Sequence, residues 1–353
     1  MNHNLKINNN FTRMKNNKIT SEKFSRREFL GTSALVTAGT LLSPLLSFGN
    51  NSSKAKGNVS KEKPDSRFAG VQIGAITYSF RDLDGGLEAT LKACIDAGLN
   101  SVELMGTNVE DYLGAPKNPV KRYPNQKNPF TEEEKRTVEQ YNSQLKEWRK
   151  SNGTVKEYAQ LRKKFNDAGV NIHIYKWIAG ETENELDYSF KIAKALGAIG
   201  ITAELNDTNA RLMGPVAESN GMLAIFHNHL QYGEPGFNAD KFLAYSPANR
   251  LNFDIGHYFG STGLNPTDFI RNYHDRIASI HLKDKTGLNN PTLKNTNMVW
   301  GQGETPLAEV LHYVRDQKLP IYCDIELEYP VNAWSTSVKE VKTCKEYCRQ
   351  ILI

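Results

Sequence analysis

From residue 71 onward, short apolar runs alternate with longer stretches in which apolar residues recur every three to four positions. The short runs predict eight strands: VQIGAITY (71–78), SVELMG (101–106), VNIHIYKW (170–177), IGITAEL (199–205), MLAIFHNH (222–229), LNFDIGHY (251–258), IASIHLKD (277–284) and PIYCDIELEY (320–329). The stretches between them predict helices, among them GGLEATLKACIDAG, TVKEYAQLRKKFNDAG, ELDYSFKIAKALGA and PLAEVLHYVRDQK. In the last of these, Leu307, Val310, Leu311 and Val314 form a helical stripe. Glycines at 98, 169, 197 and 221 fall where helices should stop, as C-terminal caps do. Eight strand–helix units over about 280 residues indicate an α/β fold, a (β/α)8 TIM barrel spanning 69–353 as a single domain. A doubly wound open sheet is the alternative. It would want a glycine-rich phosphate loop after the first strand, and ITYSFRDLDGG has no GxGxxG. The segment 108–153, after the second strand, is polar, with a helical part near 131–149. It reads as an insertion that serves as a lid or an oligomer contact.

Charge changes the picture only at the start of the chain. The formal net charge of +5 resides in residues 1–50, where seven Lys/Arg face two acids. The remainder is formally neutral and offers no global field for nucleic acid. The paired arginines of SRREFLGTSALVTAGTLLSPLLSFG (25–49) precede a weakly apolar run that is diluted by Gly, Ser, Thr and Pro44 and is short for a membrane span. Ser25, Arg26, Arg27, Glu28, Phe29 and Leu30 match the pattern of a twin-arginine signal, so the segment resembles one. That implies export of a folded chain to the periplasm, with stable membrane insertion only if the signal is retained. Residues 51–68 read as a polar disordered linker. The four cysteines contain no CxxC, and Cys344 and Cys348, four apart on one helix, suit thiols better than a bridge.

The candidate chemistry lies at strand ends, where a TIM barrel carries its active site. Glu103, His173, Glu204, His227, His229, Asp254, His257, His281, Lys283, Asp284, Glu326 and Glu328 all fall there. Carboxylates and imidazoles are costly to bury unless they are paired or bound to a metal. His173, mid-strand, reads as a core histidine, Glu103 as a structural acid, and Asp284 and Glu328 as solvated loop acids. Asp254, His281 and Glu326 occupy equivalent places on three successive strands, a ligand pattern for a divalent ion.

DIGH (254–257), HLKD (281–284), WGQGETP (300–306) and IELE (325–328) together resemble the xylose isomerase-like TIM barrel family, the sugar phosphate isomerase/epimerase group. The resemblance implies one divalent metal, Mn²⁺ first, with Zn²⁺, Co²⁺ or Mg²⁺ as alternatives. It implies Asp254, His281 and Glu326 as ligands and His257 at the substrate, with Lys283 and Trp300 beside it. The family's strand-five Glu is replaced in FHNH by His227, which becomes the fourth ligand, with His229 on the same strand face. Glu204, Glu326 and His229 are the candidate catalytic groups, with Glu204 and Glu326 expected as the base pair and His229 as a proton donor to a leaving oxygen. The implied activity is a metal-dependent isomerase or epimerase that removes a proton next to a sugar carbonyl. Export favours an unphosphorylated sugar or glycoside. A lyase cleaving 3-keto-glycosides by the same enediolate chemistry is the alternative. A non-catalytic sugar-binding protein and an abasic-site endonuclease stand further back, since the body is neutral and the ligand set intact. Expected partners are therefore a small sugar or glycoside and no nucleic acid, with a homo-oligomer open.

Overall fold

Nine strands form one sheet, paired in chain order: β1 (Arg67–Phe68), β2 (Val71–Ile76), β3 (Ser101–Met105), β4 (Asn171–Lys176), β5 (Gly200–Glu204), β6 (Leu223–His227), β7 (Asn249–Asp254), β8 (Ile277–Leu282) and β9 (Tyr322–Ile325). β2 to β9 are parallel throughout, and β2 pairs back onto β9, which closes the expected eight-stranded barrel. This computed structural model describes residues 63–120 and 128–353. The twin-arginine segment lies outside the described residues, as does most of the linker. The end of the linker departs from expectation. Arg67 and Phe68 pair antiparallel with β2, and the buried Ser66 hydroxyl donates to the Ile73 carbonyl at 2.6 Å. The barrel's contacts thus include residues before 69.

β2 and β8 are buried at every position, as parallel strands covered on both faces must be. The strands alternate with helices α1 (Gly86–Ala97), α2 (Val109–Tyr112), α3 (Glu132–Ser151), α4 (Val155–Asp167), α5 (Glu183–Leu196), α6 (Asp207–Ser219), α7 (Ala239–Leu243), α8 (Ile255–Thr262), α9 (Pro266–Tyr273), α10 (Leu307–Asp316) and α11 (Ser337–Leu352), most of which bury an apolar face in the core around the barrel. Each fully buried aliphatic or aromatic side chain contributes about 1.5–3 kcal/mol. Gly98, Gly169, Gly197 and Gly221 all have positive φ at helix ends, as caps require. The four cysteines are buried thiols. Among the described residues, no helix is long and apolar enough to cross a membrane.

Every barrel strand is shorter than its apolar pattern suggested, and at three of them the difference bears on the site. MLAIFHNH pairs only to His227, and PIYCDIELEY only from Tyr322 to Ile325. LNFDIGHY leaves the sheet at Asp254 because that carboxylate caps a helix: Oδ1 accepts the His257 N–H at 2.7 Å, and α8 begins at Ile255. Ile255 therefore continues the apolar pattern of Leu251 and Phe253 as a buried helical residue. The insertion after β3 contains α2 and α3. Arg149 of α3 makes a two-pronged ion pair with Glu110 of α2 (2.8 and 3.0 Å), donates to the Ala179 carbonyl and stacks over Trp177. This anchors the C-terminal end of α3 to the rim of the barrel.

Inside the barrel, β2 passes close to a polar layer. A Cβ on Gly74 would stand 2.2 Å from Asp324 Oδ1 and 2.9 Å from the Ser101 carbonyl. Gly74→Ala should therefore destabilise the protein by at least about 1–3 kcal/mol, the usual cost of overpacking a filled core. Urea unfolding would measure it, and a wild-type midpoint would show that this layer yields.

Candidate metal centre

On four consecutive strands the barrel interior carries polar residues two positions apart, with apolar or backbone-binding residues between them. His227 and His229 flank Asn228, Asn252 and Asp254 flank Phe253, His281 and Lys283 flank Leu282, and Asp324 and Glu326 flank Ile325. Side chains alternate across a strand, so each pair faces one side. The register aligns the sets: His227 lies beside Asn252, Asp254 beside His281, and His281 beside Asp324. All but His229 are buried.

One residue from each pair converges with the others. His227, Asp254, His281 and Glu326 each offer a ligand atom within 4.8 Å of the others. Ligands about 2.0–2.2 Å from an ion stand roughly 3–4 Å apart, so a small contraction closes this set on one metal. The protonation chemistry fits. Burial, reinforced by the nearby His281, pushes His227 well below the ordinary histidine range, leaving a neutral imidazole. Its buried Nδ1 has no hydrogen-bond partner among the described residues. His281 Nε2 lies 2.7 Å from Glu103 Oε2, while Nδ1 faces Glu326 Oε2 at 2.9 Å. Burial lowers the His281 pKa, but Glu326 and Glu103 outweigh it and push it up to about 10. With Nε2–H held by Glu103, Nδ1 is the nitrogen that can exchange its proton for an ion. Glu103, expected to be a structural acid, thus orients a ligand; the buried Asn252 amide donates to the same Glu103 oxygen at 3.0 Å.

Lys283 already supplies positive charge here. Its ammonium stands 3.0 Å from Asp254 Oδ2, 3.0 Å from Glu326 Oε2 and 2.7 Å from Glu328 Oε2. Burial draws its pKa down, yet these three carboxylates hold it above the ordinary lysine range. The same ammonium donates to His257 Nε2 at 2.9 Å. Burial keeps His257 below its usual pKa, and its Nδ1 is buried without a partner. Glycine at 256 is what brings α8 so close: a Cβ there would meet the Lys283 carbonyl at 2.8 Å. Asn228 locks the strand end, accepting the Asp254 N–H at 2.9 Å and donating to the Asp254 carbonyl at 3.2 Å.

Glu204 and His229 sit at the solvent side, both half exposed, with Glu204 Oε2 2.8 Å from His229 Nε2 and Glu204 Oε1 3.0 Å from Lys176. Burial raises the Glu204 pKa, but the hydrogen bond from His229 and the charge of Lys176 outweigh it and bring it to about 2. The His229 ring lies 4.8 Å from that of His227 and 5.1 Å from that of His257.

Two acids differ from expectation. Asp284 is a buried acceptor that gathers the N–H groups of Gly301 (2.8 Å) and Gly303 (2.9 Å), which folds WGQGETP into its turn. Glu328 is largely buried and ion-paired to Lys283. His173 is the core histidine expected, bridging Ser101 Oγ and Asp324 Oδ2 at 2.8 Å each. Trp300 is buried edge-on against Tyr347 of α11, so its packing is with the outer helix layer. Asn252 and Asp324 were not singled out in the sequence. The spacing of two between polar residues on β7 and β9 was the signal that could have found them.

No family model matches the chain. An inosose dehydratase from Clostridium botulinum (strain Alaska E43 / Type E3) is 35% identical over 75 residues, 20% of this chain and 25% of that protein. The chain thus matches about a quarter of that relative's length. Among solved structures, a sugar phosphate isomerase/epimerase from Parabacteroides distasonis ATCC 8503 aligns with a TM-score of 0.53 at 15% identity, covering 82% of this chain and 98% of that one. AsbF from Bacillus anthracis, assigned as a 3-DHS dehydratase of petrobactin synthesis, aligns with a TM-score of 0.52 at 13% identity over 78% and 98% of the two chains. The IOLI protein, solved with a zinc atom bound, gives 0.53 at 13% identity over 80% and 98%. At such identities the likeness establishes the fold alone, a TIM barrel.

Purified protein should carry about one divalent ion per chain, and Asp254→Ala and His281→Ala should each lose it, as measured by elemental analysis. Because a proton leaves His281 when an ion arrives, apparent affinity should rise with pH towards about 10. Titration calorimetry in buffers of different ionisation enthalpy should show proton release. Full metal content in Asp254→Ala, or uptake without proton release, would remove the assignment.

Proposed function

We propose that this chain is a divalent-metal-dependent sugar isomerase or epimerase that works by removing the proton next to a carbonyl. The observation that carries the reading is the four-donor cluster set beside the half-exposed Glu204–His229 pair at the open end of the barrel. The metal, when bound, supplies charge stabilisation for a sugar carbonyl and its neighbouring hydroxyl. Donors of two imidazoles and two carboxylates suit Mn²⁺, with Zn²⁺, Co²⁺ and Mg²⁺ as the other choices.

The side chains of the site then divide the work. Glu204 holds His229 through Nε2 and so leaves His229 Nδ1 to take the substrate proton. Glu204 itself, held at about 2, is a weak base and orients the ring instead. The electron pair of the broken C–H bond forms an enediolate, and His229 returns the proton to the neighbouring carbon. His257 keeps its Nδ1 for a substrate hydroxyl, because Nε2 is occupied by Lys283. Lys283, fixed as a cation, steadies the developing negative charge. Glu326, which faces His281 Nδ1 until an ion takes that proton's place, would then be a ligand and is the second candidate base. Trp300, packed against Tyr347, supports the WGQGETP turn from the outer helix layer.

A second reading, elimination by a lyase or dehydratase, has one specific observation in its favour. The strand-five carboxylate that an epimerase would use opposite a second base is here His227, buried and neutral. An enediolate with a leaving group on the next carbon expels it, and the local similarity to an inosose dehydratase points the same way. The twin-arginine segment supports export to the periplasm, and with it an unphosphorylated sugar or glycoside as substrate and no nucleic-acid partner.

Metal-loaded protein incubated in D₂O with free ketoses and 3-keto-glucosides should incorporate deuterium beside the carbonyl, read by NMR. Deuterium without loss of a group marks the isomerase; release of the leaving group marks the lyase. His229→Gln should keep its metal and lose turnover by about 10²–10⁴, with a smaller loss in Glu204→Gln. Wild-type turnover in His229→Gln would transfer the base role to Glu326.

A further inference from the structure

Beside the metal centre, a cavity of 570 Å³ opens between the loop that follows β9 and the turn that follows β2. That volume lies within the range of small-molecule sites. It is continuous with the centre through one residue: Glu328 lines the cavity and also holds the Lys283 ammonium at 2.7 Å. We propose that this cavity is a second subsite of the substrate, taking an uncharged polyhydroxyl ring joined to the reacting sugar. The proposal rests on the function proposed above and narrows its substrate class to two-ring glycosides.

The lining selects for hydroxyl groups. Arg81 is fixed at the cavity wall: Nη1 donates to the Leu327 carbonyl at 2.7 Å and to the Tyr78 carbonyl at 3.2 Å, and the guanidinium lies 4.4 Å over the Tyr78 ring. Its Nε and Nη2 have no partner among the described residues, so a planar pair of donors remains for a ligand. Asp82 and Glu328 add acceptors, and the exposed Asn332 amide offers both kinds of group. Neighbouring hydroxyls on a ring need donors and acceptors side by side, and this wall supplies them. A phosphate or carboxylate would gain little, because Asp82 lines the wall with Arg81 and the Lys283 ammonium is already shared among Asp254, Glu326 and Glu328. An apolar tail would leave these groups desolvated and unpaired. A second sugar ring fits both constraints.

The test compares 3-keto-cellobiose, oxidised on its non-reducing ring, with methyl 3-keto-β-glucoside by titration calorimetry on the metal-loaded protein. The disaccharide should bind about tenfold tighter or more. Arg81→Ala and, independently, Asn332→Ala should bring that ratio towards one. Equal affinity for the two ligands in the wild type, or an unchanged ratio in both variants, overturns the subsite. Deuterium exchange into the methyl glycoside, followed in the same samples, tests the underlying reading separately. Exchange with an affinity ratio of one removes the subsite and keeps the reaction. A ratio that depends on Arg81 without exchange keeps the subsite and removes the reaction.

Discussion

Four carboxylates, Glu103, Asp254, Asp324 and Glu326, lie in the interior at one end of the barrel, and buried anions persist only where positive charge or hydrogen bonds meet them. That electrostatic demand organises the rest of the site. His173 answers Asp324, His281 stands between Glu103 and Glu326, and Lys283 spans Asp254, Glu326 and Glu328. Removing His281 or Lys283 would leave a charge stranded in low dielectric, which costs far more than the pair contributes when intact. A divalent ion at the His227–Asp254–His281–Glu326 cluster completes the same compensation, so metal binding and the stability of the barrel's upper end are one problem.

The scaffold and the chemistry also share atoms. Asp254 spends one carboxylate oxygen capping α8 and presents the other to the cluster. The cap sets where His257 emerges, one turn into the helix, and Gly256 lets that turn approach Lys283. The spacing of three between Asp254 and His257 is therefore helix-cap geometry, although the apolar run before it reads as an uninterrupted strand. Its consequence is that Asp254 and His257 are positioned by the same hydrogen bond.

Much of this was legible in the sequence because parallel strands buried on both faces give short apolar runs, and because glycines mark where helices stop. Asp254, His281 and Glu326 stood out since acids and histidines at strand ends have few inexpensive explanations. The strand ends themselves were misplaced because an apolar residue such as Ile255 is equally at home in a strand or a buried helix. Glu103, Asp284 and Glu328 were underrated for a different reason. Their partners, His281, the Gly301–Gly303 backbone and Lys283, lie between 17 and 178 positions away in the chain or on the neighbouring strand. Periodicity reports which face a residue occupies, not what it meets there. The cavity beside Glu328 was invisible for the same reason, since its walls come from the two loops that meet only when β9 closes onto β2.

Crystals of the protein grown with Mn²⁺ and measured at the manganese absorption edge would test the central claim most directly. The account predicts a single anomalous peak per chain, within bonding distance of His227, Asp254, His281 and Glu326. His229 and His257 form the rival grouping with His227. A peak held by those three histidines, or no peak at the end of the barrel, would contradict it.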